Sequence, residues 1–107
     1  MALKAIHIHR VYGEDMLRRS GRRTKYDIYA EILEVVRRLE PCSLTRASYG
    51  ARLPVDRAKK VIEKLVSAGL LHEELINDKK RYRITGRGLE FLEVYWKMRE
   101  FMVILEG

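Results

Sequence analysis

Between Pro54 and Gly69 the apolar residues Val55, Ala58, Val61, Ile62, Leu65 and Val66 recur at helical spacing, which predicts a helix with one buried face. Pro54 suits its first turn, and Gly69 suits the left-handed position after its end. The other face carries Arg57, Lys59, Lys60 and Lys64, with Asp56 and Glu63 among them. Charged faces are ordinary on solvated helices, so the meaning of this one depends on its neighbours. Upstream, Ser43 caps a short helix expected over Leu44 to Tyr49, and Gly50 is expected to end it. Gly50 to Leu53 is then a tight connection between two helices, the spacing of a helix-turn-helix. Downstream, Leu70 to Ile76 and Arg81 to Ile84 read as two short strands joined by the polar turn Asn77-Asp78-Lys79-Lys80. Tyr82 and Ile84 alternate with Arg81 and Arg83, so one strand face packs while the other presents guanidinium groups.

Two further helices flank this unit. Thr24 and Asp27 form a capping-box start for a helix over Lys25 to Leu39, whose stripe is Ile28, Ile32, Val35, Val36 and Leu39, widened by Tyr29 and Leu33. Pro41 stops it. The last helix is expected to begin at Thr85, which caps it, and to run through Leu89 to about Leu105. Phe91, Val94, Met98, Phe101 and Leu105 follow three- and four-residue steps, a heptad seam with Tyr95 and Met102 beside it. Leu92, Trp96, Val103 and Ile104 add apolar surface elsewhere on the same helix. A small domain does not cover so much, so the pattern predicts a homodimer through paired C-terminal helices. The alternative is a helix folded entirely back over its own core.

The expected fold is therefore mainly α with a small β-hairpin, a winged helix-turn-helix followed by a long C-terminal helix. It divides into an N-terminal extension over 1–23, a winged-helix unit over 24–88 and a dimerisation helix over 89–107. The extension is the least patterned part. Residues Leu3 to Tyr12 alternate loosely, as in a short strand or arm, and His7 and His9 share one side. Without a cysteine or third histidine at ligand spacing, a polar strand face explains them better than a metal site. Arg18, Arg19, Arg22, Arg23 and Lys25 surround a Ser-Gly pair, either a basic arm for phosphates or a minor groove, or a solvated linker.

Charge sharpens the reading of the central unit. The 107 residues carry a formal net charge of +7 with a pI near 9.8, which favours an anionic partner without choosing one. Residues 44–88 hold 11 basic and 5 acidic side chains, whereas residues 89–107 hold 2 and 4. The positive charge thus belongs to the helix-turn-helix and hairpin. Double-stranded DNA is the partner this suggests, with Arg57, Lys60 and Lys64 from the helix, Arg46 and Arg52 from the turn region, and Lys79, Lys80 and Arg81 from the hairpin. A protein-interaction module with an acidic partner is the rival reading. RNA binding would need exposed aromatic side chains for stacking, and most aromatics here occupy expected core or dimer positions. No phosphate-binding glycine loop, metal-ligand cluster or nucleophile constellation is present, so neither an enzyme nor a cofactor is expected. Cys42 is the only cysteine, which rules out an intramolecular disulfide and suits a reducing compartment. The start lacks a signal-peptide core and the longest apolar run, Phe101 to Leu105, is far short of a membrane span. A soluble cytoplasmic, nucleoid-associated protein is the expectation.

Three segments, RRTKYDIYAEILEVV at Arg22 to Val36, KLVSAGLL at Lys64 to Leu71 and RYRITGRGLEFLEVY at Arg81 to Tyr95, resemble the archaeal winged-helix family of the Sulfolobus 10a-type DNA-binding proteins. The resemblance covers about residues 22–105. It implies terminal helices paired as an antiparallel coiled coil that displays two winged-helix units to duplex DNA, in a transcriptional regulator or a chromatin-associated protein. Pro54 and Asp56 depart from the pattern of a groove-reading helix, where a polar cap and a basic or amide side chain are more usual.

Overall fold

The chain adopts the order helix, helix, helix, strand, strand, helix in a computed structural model that describes residues 23–106. The readings made for His7, His9, Arg18, Arg19 and Arg22 lie outside the described residues. The elements are α1 (Lys25–Leu39), α2 (Leu44–Ala51), α3 (Val55–Ser67), β1 (Leu71–Ile76), β2 (Lys79–Ile84) and α4 (Gly86–Glu106). Among the described residues, four helices and one antiparallel hairpin match the expected mainly-α winged helix.

Helix α1 is the centre of the core. Its start is the expected capping box: the Asp27 N–H donates to Thr24 Oγ1 at 3.1 Å and the Thr24 N–H donates to Asp27 Oδ2 at 2.8 Å. Its stripe buries Ile28, Ile32, Leu33, Val35 and Val36, and the helix touches α2, α3, α4 and β2. Burying side chains of this size contributes about 1.5–3 kcal/mol each, which makes α1 the element on which the others assemble.

Helix α2 runs past the glycine expected to end it. Gly50 lies inside the helix, where an added Cβ would stand 2.7 Å from Val35 Cγ1, so its missing side chain serves the close approach of α2 to α1. The left-handed position falls instead to Arg52, at φ 55°. A backbone clasp holds it there: the Arg52 N–H donates to Tyr49 O, the Leu53 N–H to Ser48 O at 3.0 Å, and Ser48 Oγ to Leu53 O at 2.5 Å. Pro54 then serves as the N-cap of α3 rather than its first residue, and Gly69 is left-handed after its end, as expected.

The hairpin is longer and its turn shorter than the sequence reading had it. Lys79 and Lys80 are not in the turn; they pair with Ile76 and Leu75, leaving Asn77 and Asp78 as a two-residue connection. Both have positive φ, 52° and 64°, the conformation in which a two-residue hairpin matches strand twist and which Asn and Asp tolerate. An isolated bridge ties β2 to the loop after α1, with the Cys42 N–H donating to Tyr82 O at 2.9 Å and the Tyr82 N–H to Cys42 O at 2.8 Å.

Thr85 starts α4 as expected. Its Oγ1 accepts from the Gly88 N–H at 3.1 Å and donates to Gly69 O at 2.6 Å. Gly88 has no room for a side chain, since a Cβ would stand 2.3 Å from Leu70 O. The helix extends for 21 residues, about 30 Å. Leu92 and Trp96 enter the common core, and Phe91, Tyr95 and Val103 of the same helix pack partly against it. Among the described residues, no helix is long and apolar enough to cross a membrane.

Candidate nucleic-acid interface

On α3 the core contacts Ala58, Ile62 and Leu65 determine which residues face out. At 100° per residue, Arg57, Lys60 and Lys64 fall within a stripe roughly 60° wide on the far side of the helix. Asp56 and Glu63 fall on a neighbouring strip. All three cations are exposed, and among the described residues no hydrogen bond or ion pair engages their side chains. These three side chains therefore form no ion pair, although Asp56 lies one turn before Lys60; Arg37 and Arg83, by contrast, are paired with Glu34 and Glu74.

The turn region adds two further cations. Arg46, in the first turn of α2, and Arg52, in the left-handed position before α3, are both exposed. Arg46 and Arg81 each lie close enough to Cys42 to act on its thiol. Burial pushes the Cys42 thiol up from its ordinary value, and the two guanidinium charges pull it the other way. Burial prevails, so this cysteine is a protonated core residue.

Strand register separates the hairpin basics. The face that packs inward carries Leu71, Glu73 and Leu75 opposite Ile84, Tyr82 and Lys80; the other carries His72, Glu74 and Ile76 opposite Arg83, Arg81 and Lys79. Lys80 thus sits on the Tyr82 side, 4.0 Å from Glu73, while Lys79 and Arg81 project from the opposite side. Arg81 also donates to Lys80 O at 2.8 Å. The Tyr82 hydroxyl is raised from its ordinary value, first by burial and then by Glu73 and Glu63, which brings Glu63 of α3 close to the hairpin base. The eight expected residues therefore form groups: Arg57, Lys60 and Lys64 on one stripe, Arg46 in the first turn of α2, Lys79 beside Arg81, Arg52 at the turn and Lys80 on its own face.

The seven residues expected to pair α4 divide as well. Val94, Met98, Phe101 and Leu105 are 60, 58, 57 and 84% exposed, and Met102 is exposed beside them. Phe91 and Tyr95 are half-buried, their rings stacked at 6.2 Å. The Tyr95 hydroxyl donates to Asp27 Oδ1. Burial, then that hydrogen bond, pushes its ionisation well above the ordinary tyrosine value.

One residue has a role that local sequence did not reveal, and two further exposed side chains were not among the expected site residues. Arg23, read as part of a flexible basic arm, instead clamps α1 to the end of α2, donating to Glu31 and Ala51 O at 2.8 Å and to Arg52 O at 3.2 Å. Its partners lie up to 29 positions away, beyond any local signal. Arg87 is exposed in the first turn of α4. Tyr49 is 89% exposed on α2, and a helical projection of Ala47, Ser48 and Ala51 as the packing face would have placed it outward.

Comparison with known proteins follows the same architecture. The winged helix-turn-helix family matches residues 22–103. Among solved structures, the chain is similar to Sso10a-2, a DNA-binding protein from Sulfolobus solfataricus, at 36% identity and a TM-score of 0.60 over 79% of this chain and 83% of that one. It shares its fold with the MarR family transcription regulator SP03579, at 17% identity and a TM-score of 0.62 over 88% of this chain and 64% of the other. A second MarR family regulator, SPO1453 from Silicibacter pomeroyi, aligns at 16% identity and 0.53 over 97% and 77%. A comparison with curated proteins finds no match.

Proposed function

We propose a function from one premise: the chain belongs to the winged helix-turn-helix family. It binds duplex DNA as a homodimer, in transcriptional regulation or chromatin association, and carries out no catalysis. The observation that carries this reading is the exposed, unpaired stripe of Arg57, Lys60 and Lys64 on α3, directed away from the core that positions the helix. An α-helix fits the major groove, and cations on its outer face exchange places with the counterions of the phosphates. Arg46, Arg52, Lys79 and Arg81 add phosphate contacts at the flanks, and Lys80, on the other face of the hairpin and 4.0 Å from Glu73, contributes least. The similarity at 36% identity to a protein described as DNA-binding supports the same partner.

The dimer forms through Val94, Met98, Phe101 and Leu105 of two α4 helices packed as an antiparallel coiled coil, with Phe91, Tyr95 and Met102 at its margins. Their exposure supports this, since four large apolar side chains on one seam of a helix need a cover. Residues 24–88 then act as the reader and 89–107 as the pairing helix.

Binding of a fluorescent duplex across a salt series tests the partner. Neutralising Z phosphates gives a log–log slope of about −0.9Z. Lys60→Glu is expected to weaken binding about tenfold and to flatten that slope by about 1 or more. Absence of duplex binding by the wild type even at low salt sinks the reading.

A further inference from the structure

We infer that Tyr49 is a phosphate-contacting residue, its hydroxyl donating to a backbone oxygen of the duplex beside Arg46 and Arg52; this rests on the duplex-binding reading above. Four observations converge on it. Tyr49 is 89% exposed, although it belongs to a helix whose opposite face, Ala47, Ser48 and Ala51, is buried. Among the described residues nothing hydrogen-bonds its hydroxyl, whereas Tyr95 and Tyr82 both have carboxylate partners. Thr45 and Arg46 precede it by four and three positions, so all three share one outward strip of α2. The backbone at this point is fixed: Ser48 clasps Leu53 from both its hydroxyl and its carbonyl, and the Arg52 N–H donates to Tyr49 O at 3.2 Å.

The strip therefore offers a neutral donor between two cations, on a rigid turn that leads directly into the exposed stripe of α3. An oxyanion satisfies that arrangement. In a helix-turn-helix the first helix crosses the nucleic-acid backbone, and tyrosine hydroxyls are among the donors that position a protein on phosphates. Carrying no charge, Tyr49 releases no counterion when it binds. Its contact differs from those of the arginines in a way that salt dependence resolves.

The test compares Tyr49→Phe, Tyr49→Ala and Arg46→Ala with the wild type on one duplex, by anisotropy across a salt series, after melting curves show unchanged folding. Tyr49→Phe is expected to bind about tenfold more weakly at every salt concentration, with the wild-type slope, because one hydrogen bond to a charged group is lost. Tyr49→Ala should match it, and Arg46→Ala should flatten the slope by about 1. Wild-type affinity in Tyr49→Phe overturns the inference while leaving duplex binding intact. So does a loss confined to Tyr49→Ala, which assigns the contact to the ring and to stacking. If the wild type binds no duplex, the functional reading itself has failed and this contact with it.

Discussion

Helices α3 and α4 both turn one side to the core and one to solvent, yet their outer sides differ in kind. On α3 the inner residues Ala58, Ile62 and Leu65 face away from Arg57, Lys60 and Lys64. On α4 the inner residues Leu92 and Trp96 are opposed by a second apolar seam, Val94, Met98, Phe101 and Leu105. A charged outer face is at rest in water and gains by meeting an opposite charge; an apolar one gains by leaving water. On the function proposed above, the two helices divide recognition and assembly between them on a chain of 107 residues.

Breaking the inner seam of α4 should have the largest effect. Trp96→Ala removes a core side chain shared with α1 and is expected to cost about 3–5 kcal/mol of stability, measured by denaturant unfolding. A cost below 1 kcal/mol would mean that Trp96 is not part of the fold's core. Loading the outer seam comes next. Met98→Glu with Phe101→Glu should leave the fold intact, yield a monomer by light scattering and weaken duplex binding about 100-fold through lost bivalency. A double variant that remains dimeric would remove the functional contrast between the seams. The smallest effect lies between them, at Tyr95. Tyr95→Phe is expected to cost about 1 kcal/mol at neutral pH, as Asp27 loses a donor. Because the folded-state ionisation of Tyr95 is raised, its contribution is present in full below the unfolded value near pH 10 and is lost as pH rises above it. Melting temperatures should consequently fall less steeply above pH 10 in Tyr95→Phe than in wild type, and parallel alkaline profiles would show that the hydroxyl contributes nothing.

How legible these features were depended on the distance over which they are determined. The limits of α1 follow from Thr24, Asp27 and Pro41, all local chemistry, and the structure keeps them. The wing was visible through alternation around Tyr82, but its turn was overestimated because Lys79 and Lys80 are polar and yet take ladder positions. On α4 the heptad identified the outer seam, while Leu92 and Trp96 looked like surplus apolar surface. Choosing the inward seam needed the shape of the α1 surface, which no local pattern contains. The cations of α3 were readable from phase alone. Those of the hairpin required its register, which divides Lys80 from Lys79 and Arg81. Arg23 was out of reach altogether, since its clamp depends on carbonyls at the far end of α2.

The close approach of Gly50 to Val35 has a consequence for how such chains can diverge. With Cγ1 and Cγ2 of Val35 at 2.7 and 3.1 Å from where a Cβ would stand, the two positions share one small volume. Neither residue is at liberty to grow unless the other shrinks. Among descendants of this sequence, alanine at position 50 should therefore travel with alanine or glycine at position 35. A lineage that breaks the pairing must reset the angle between α1 and α2, and with it the direction in which the exposed cations of α2 and α3 point.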